Sequence, residues 1–123
     1  MRYEQSTVGK WWVLKFNGRL DSFTQDKVVE VIDQGAARGR VHVCLDLKDV
    51  SFLSFSLIRV LAMKDLEMKN HGGQLVIMNA TAIVVKHLET FNPTKGLKHY
   101  KSYPEFEKQL VLFTEAPAFS EAS

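Results

Sequence analysis

Apolar positions along the chain fall into short runs that switch between a two-residue and a 3.6-residue period. Tyr3 to Val8 and Trp11 to Asn17 read as two strands, and Gly9-Lys10 between them is a two-residue hairpin signal. The second run, Trp11-Trp12-Val13-Leu14-Lys15-Phe16, is rich in the aromatic and branched side chains that fill a pleated surface. Gly18 to Ser22 reads as a loop. Ser22 is placed to cap a helix over about Phe23 to Ala37, with Gln25 completing a capping box and Val28, Val31, Ile32 and Ala36 forming the buried stripe. Gly35 and Gly39 mark its end.

Val41 to Leu47 is almost continuously apolar, as expected of a central strand covered on both faces. Lys48 to Leu53 then leads to a helix from about Ser56 to Asn70, with Leu57, Ile58, Leu61, Ala62 and Leu66 inward and His71-Gly72-Gly73 ending it. Gln74 to Met78 is a further strand. Asn79 or Thr81 caps a helix to about Thr90, with Val84, Val85, Leu88 and Phe91 inward, and Asn92-Pro93 breaks it. Leu97 to Lys101 reads as an edge strand. Ser102-Tyr103-Pro104-Glu105 opens a last helix carrying Phe106, Leu110 and Phe113, and residues 114–123 form a flexible tail.

This order predicts an α/β fold. Strands alternating with helices give a mainly parallel sheet with right-handed crossovers, made mixed by the N-terminal hairpin and covered by about four helices. The length of 123 residues fits one domain, over residues 1–113, with no repeat or linker. A hydrophobic fraction of 46% supplies a core and excludes a disordered chain. The formal charge of +2 is too small to argue for nucleic acid. Lys86, Lys95, Lys98 and Lys101 are spread loosely, as on a solvated surface; an anion-binding or acidic-partner face is the alternative. Cys44 lies in an apolar run, so it reads as a small buried hydrophobe, and a single cysteine allows no internal disulfide. No apolar run reaches the length of a membrane span, and Met1 to Gln5 lacks the start of a secretory signal. A cytoplasmic protein without membrane insertion is the expectation.

Catalytic patterns are missing. His42, His71, His87 and His99 show no metal-ligand spacing. Gly72-Gly73 lacks the lysine and hydroxyl residue of a phosphate loop and follows a helix. Ser54-Phe55-Ser56 has no flanking glycines to form a nucleophile elbow. Asp46 and Asp49 sit at the expected end of a central parallel strand, where α/β sites often form, but they also serve as plain strand-ending polar residues. No acid–base pair with an orienting partner emerges, so neither an enzyme nor a cofactor or metal is expected.

Two segments are more specific. They are Gly18-Arg19-Leu20-Asp21-Ser22 and the stretch from Val43 to Leu61, which contains Asp46-Leu47-Lys48-Asp49-Val50-Ser51-Phe52-Leu53-Ser54-Phe55-Ser56. In order and spacing they resemble the STAS family, which includes bacterial anti-sigma factor antagonists and sulfate-transporter tails. Gly72-Gly73-Gln74-Leu75-Val76-Ile77 and Ser102-Tyr103-Pro104-Glu105-Phe106-Glu107 resemble the family as well, so the likeness runs from about Tyr3 to Leu112.

The resemblance implies a STAS-like single domain acting as a switchable binding module. Antagonists of the family bind a kinase-type anti-sigma factor, and the kinase phosphorylates the second serine of an Asp-Ser-Ser-Gly motif at a helix start. Ser56 matches that serine. Ser54 replaces the aspartate, Phe55 the first serine and Leu57 the glycine, and Arg59 stands at a further glycine. Loss of the aspartate removes a polar neighbour of the phosphoacceptor, and the bulk of Leu57 is expected to obstruct a kinase. The implied partner face is Arg19, Leu20, Asp21 and Ser22 together with Ser54, Phe55, Ser56 and Arg59. Two readings stay open for the serines: Ser56 as phosphoacceptor, or Ser54 or Ser56 simply as a helix cap worth about 1 kcal/mol. Phe55 is either an exposed aromatic anchor or part of the core. Three functions follow in order: a regulator binding a kinase-type anti-sigma factor; a non-phosphorylated STAS subunit of a larger complex, such as a lipid-transport ATP-binding-cassette assembly; and a small-molecule sensor. The oligomeric state is left open.

Overall fold

A computed structural model describes residues 1–91 and 96–101. Strands β1 (Arg2–Val8) and β2 (Trp11–Leu20) form the expected antiparallel hairpin, with Val8 opposite Trp11 across the turn and Gly9 at φ +60°. Then follow α1 (Gln25–Ala36), β3 (His42–Leu53), α2 (Phe55–Lys69), β4 (Gln74–Met78), α3 (Ala82–Phe91) and β5 (Lys98–Tyr100). The five strands lie in the order β1-β2-β3-β4-β5, and every pair after the first is parallel. Each parallel step is bridged by one helix, the βαβ connection that the alternation predicted.

The three helices bury their apolar stripes on one face of the sheet, against Trp12, Leu14 and Phe16 of β2, Val43, Leu45 and Leu47 of β3, and Leu75 and Ile77 of β4. Trp11, Val13, Cys44, Val76 and Met78 form a second buried cluster on the alternate face. Cys44 is fully buried there, and burial, aided by the Asp46 charge, pushes its thiol far above the ordinary range, as befits an inert packing residue. The fourth helix, expected from Pro104, and the 114–123 tail lie outside the described residues. No helix among the described residues is long and apolar enough to cross a membrane.

Four local expectations are corrected. First, β2 and β3 run on together to the pair Leu20↔Leu53, so Gly18 to Leu20 and Lys48 to Leu53 are strand and not connection. Polar Asp49 and Ser51 point outward while Val50 and Leu53 turn into the core, and register shifts at Lys15/Asn17 and Gly18/Arg19 blur the two-residue period. Asp46 and Asp49 therefore lie within β3. Asp46 accepts from the Lys48 amide at 3.1 Å, and Asp49 pairs with Lys15 at 3.6 Å.

Second, Ser22 does not cap α1, which begins two residues later than expected, at Gln25. The Asp21 carbonyl accepts from the Thr24 and Gln25 amides at 3.1 and 2.9 Å, and the Asp21 carboxylate accepts from the Phe23 amide at 3.0 Å. The Thr24 hydroxyl accepts from the Asp21 amide at 2.9 Å and donates to the Arg19 carbonyl at 3.0 Å. With these groups satisfied by Asp21 and Thr24, Ser22 stays exposed.

Third, Gly35 does not end α1. It is buried inside the helix, where any Cβ would run into the indole ring of Trp12. The turn belongs to Gly39 alone, at φ +86°, with the Arg40 amide returning to the Gly35 carbonyl at 2.9 Å.

Fourth, α2 buries Asp65 and exposes Leu66: Asp65 is 1% exposed and Leu66 50%. A carboxylate is tolerated there because it accepts from the Leu75 amide at 2.9 Å, where β4 begins, and pairs with Lys69 at 2.9 Å. Lys69 also reaches the Gly96 carbonyl at 3.5 Å. Asp65 thus ties α2 to the start of β4. Asp65→Ala is expected to lower stability by about 2 kcal/mol, since it strands the buried Leu75 amide, and Asp65→Asn by clearly less, since its carbonyl still accepts. Urea denaturation of the three proteins checks the order.

Candidate functional site

The two specific segments of the sequence meet at one point. Leu20 and Leu53 are the last rung of the parallel β2–β3 ladder, and the next amide, that of Ser54, donates to the Leu20 carbonyl at 2.9 Å. Ser54 has extended backbone angles and is the N-cap of α2. Its hydroxyl accepts from the Leu57 amide at 3.1 Å, and its carbonyl takes the first helical bond from Ile58 at 3.0 Å. One residue therefore closes a sheet and opens a helix, which fixes the Asp21–Thr24 loop beside the helix start. The Ser51 hydroxyl adds a long contact to the Gly18 carbonyl at 3.5 Å.

Ser54 takes the capping role, so the Ser56 hydroxyl is not used for it, and Ser56 is exposed in the first turn of α2. That turn holds no acidic residue. Its leading amides and the helix dipole make a favourable setting for negative charge. Arg59 is exposed one turn further on, three residues beyond Ser56, and so shares its side of the helix. Leu57 does not obstruct this surface: it is fully buried together with Ile58 and anchors the helix end against the core.

An aromatic row runs beside the serine. The Arg19 guanidinium lies 4.3 Å from the centroid of Phe52. The His87 ring meets Phe52 and Phe55 edge-on, each at 5.6 Å between centroids. Phe55 stacks on Phe91 at 3.6 Å. Phe55 combines the two roles left open for it: one side packs on α3, while 46% of its surface stays exposed. His87, expected at the surface, is partly buried, and its Nδ1 has no hydrogen-bond partner among the described residues.

The loop is held by Asp21. Burial pushes its carboxyl up, but the Phe23 amide, the Arg19 guanidinium at 3.3 Å and the Thr24 amide outweigh that, and the net pKa lies below the ordinary 3.8. Of the expected face, Arg19, Ser22, Phe55, Ser56 and Arg59 are exposed, and Asp21 and Ser54 are half-buried. Leu20 is corrected: its side chain is fully buried under the strand end, so it contributes its carbonyl and no surface. Phe23, 94% exposed, belongs to the loop and was missed because the sequence placed it inside α1. Its signal was an apolar residue breaking the helical stripe.

The arrangement is a surface, with a helix start, an aromatic ledge and two arginines. Among the described residues there is no group of three or more side chains able to hold a metal ion. The chain belongs to the STAS domain family, whose model matches residues 3–105. Solved structures show the same fold. A Thermotoga maritima protein, TM1081, assigned as an anti-sigma factor antagonist, superposes with a TM-score of 0.78 at 18% identity, covering 87% of this chain and 92% of its own. The anti-sigma factor antagonist SpoIIAA in unphosphorylated form gives 0.67 at 14% identity, over 88% of this chain and 96% of its own; the phosphorylated Bacillus protein gives 0.65 at 12%, over 89% and 100%. The murine anion transporter Slc26a9 matches at 0.63 and 18% identity over 96% of this chain, but only 19% of the transporter is covered. At such identities the likeness is one of fold. A comparison with curated proteins in sequence finds no match.

Ser54→Ala is expected to cost about 1 kcal/mol by freeing the Leu57 amide, and Ser56→Ala less than about 0.5 kcal/mol, since it caps nothing. Thermal melts of both variants read the difference. A second expectation concerns pH. Asp21 has a lowered pKa in the folded protein, so its charged form stabilises the fold above the ordinary carboxylate value, and that contribution fades as pH falls through the folded value. The stability gap between the wild type and Asp21→Asn is therefore widest at neutral pH and closes in acid below 3.8, as paired urea titrations would show.

Proposed function

We propose that this chain is a non-enzymatic, cytoplasmic regulator of the anti-sigma factor antagonist type. It docks a kinase-type anti-sigma factor through Arg19, Asp21, Ser22, Ser54, Phe55, Ser56 and Arg59, with Phe23 added to that face, and phosphorylation of Ser56 switches the docking. The observation that carries this reading is the division of labour between two serines. Ser54 satisfies the helix cap, and Ser56 is left exposed with a free role at a helix start.

A phosphate on Ser56 brings about −1.5 to −2 charges to a place where peptide dipoles and the leading amides of α2 favour an anion. The fold therefore tolerates the modified state. The same charge sits next to the exposed ring of Phe55, and a partner surface that buries that ring has to desolvate the phosphate or leave. The unmodified face binds and the modified face releases. Phe23 and Phe55 are the anchors, since aromatic side chains carry much of the energy of protein interfaces.

A second reading is a permanent, unphosphorylated subunit of a larger assembly such as a lipid-transport ATP-binding-cassette complex. It is favoured by the altered serine motif, with Ser54 and Phe55 standing before Ser56 where the resemblance implies aspartate and serine, since a lasting interface needs no reversible phosphate.

Incubating the purified chain with candidate kinase-type anti-sigma factors and ATP separates the two. The first reading predicts a complex on size exclusion that dissociates as phosphate appears on the peptide containing Ser56, and no phosphate on Ser56→Ala. A complex that persists with ATP and carries no phosphate contradicts the switch and supports the permanent subunit.

A further inference from the structure

We propose that two copies of this chain pair through the outer edge of β1, joining their five-stranded sheets into one continuous sheet. The inference is independent of the docking face and of Ser56. β1 is an edge strand of seven residues, bonded on one side to β2, and no described strand lies on its other side. Residues Arg2 to Thr7 are all exposed. Its register with β2 is unbroken from Arg2↔Asn17 to Val8↔Trp11, unlike the β2–β3 pair with its two shifts.

Hairpin geometry says which groups face outward. Val8 and Trp11 flank a two-residue turn and so form a hydrogen-bonded pair. Alternation then points the amides and carbonyls of Arg2, Glu4, Ser6 and Val8 toward β2, and those of Tyr3, Gln5 and Thr7 away from it. The Arg2 amide agrees, reaching the Asn17 side chain of β2 at 3.2 Å. Protected edges carry proline, charged side chains, a bulge or a covering element. β1 has no proline, no lysine and no bulge; its charges are confined to Arg2 and Glu4, and Arg2 to Thr7 are exposed.

Length of overlap, together with the avoidance of facing like charges, selects a register for a second copy. An antiparallel pairing with its two-fold axis at Gln5 uses the whole strand. It sets Tyr3 opposite Thr7, Glu4 opposite Ser6 and Arg2 opposite Val8 of the other copy, with no like charges facing. Moving the axis to Glu4 would set the two Glu4 carboxylates against each other, which is unfavourable. In the favoured register the helices of both copies lie on one side of the joined sheet. The Leu20/Leu53 ends point in opposite directions, so both candidate docking faces stay open and the particle is bivalent.

Sedimentation equilibrium over a wide concentration range tests the pairing. A reversible dimer is expected. Thr7→Pro removes one outward amide while sparing the ladder to β2, and should yield a monomer. Ser6→Lys faces Glu4 of the other copy twice and should tighten the dimer about fivefold; Ser6→Glu should weaken it about as much. Should Thr7→Pro fail to fold, as circular dichroism would reveal, the opposite response of the two Ser6 variants decides alone. A monomer at every concentration, or a dimer indifferent to charge at Ser6, overturns the proposal.

Discussion

The hydrogen bond from the Ser54 amide to the Leu20 carbonyl, 2.9 Å long, is the constraint on which the candidate site depends. It is the rung after the last β2–β3 pair, and its donor is also the first residue of the α2 cap. A loop following one strand and a helix following the next are thereby held at a fixed offset. Everything on the surface there inherits that offset: Arg19 over Phe52, Phe52 against His87, and Phe55 between His87 and Phe91. The buried side chains of Leu20, Leu53, Leu57 and Ile58 sit directly beneath and keep the geometry rigid. The exposed face is therefore built on apolar residues that are themselves buried.

The sequence alone showed much of this frame, because strong signals agreed. The near-continuous run Val41 to Leu47, the two-residue turn at Gly9-Lys10 and the glycines after α2 each pointed to an element that exists. Where it misled, two physical signals competed. Ser22 has the capping residue type and the capping-box spacing, yet Asp21 and Thr24 already satisfy the turn. Leu66 fits the apolar stripe of α2, yet the Leu75 amide at the start of β4 needs an acceptor, and that long-range demand buries Asp65. Gly35 looks like a helix stop, but its meaning lies in the Trp12 ring pressed against it. Such requirements arise from elements distant in sequence and leave no periodicity to read.

The candidate site was legible in part. Resemblance brought the Gly18–Ser22 segment and the Ser54–Arg59 segment together, and the structure sets them side by side. The role of each residue was not legible. Burial removes Leu20 from the face and turns Leu57 from an obstacle into an anchor, whereas exposure adds Phe23. The altered motif also acquires a physical sense. With serine in place of aspartate at position 54, a hydroxyl now performs the cap, and with phenylalanine at position 55 the neighbour of Ser56 becomes part of an aromatic ledge shared with α3. The surface beside Ser56 is thus more apolar than the motif implied by the resemblance.

If the loop and the helix start form a single mechanical unit, charge placed on one must be felt by the other. Amide chemical shifts of Ser56→Asp compared with those of the wild type measure this most directly. The account predicts shifts in the first turn of α2 and also at Arg19, Asp21, Phe23 and Thr24, transmitted across the Ser54–Leu20 bond. Shifts confined to α2, with the loop unchanged, would contradict it.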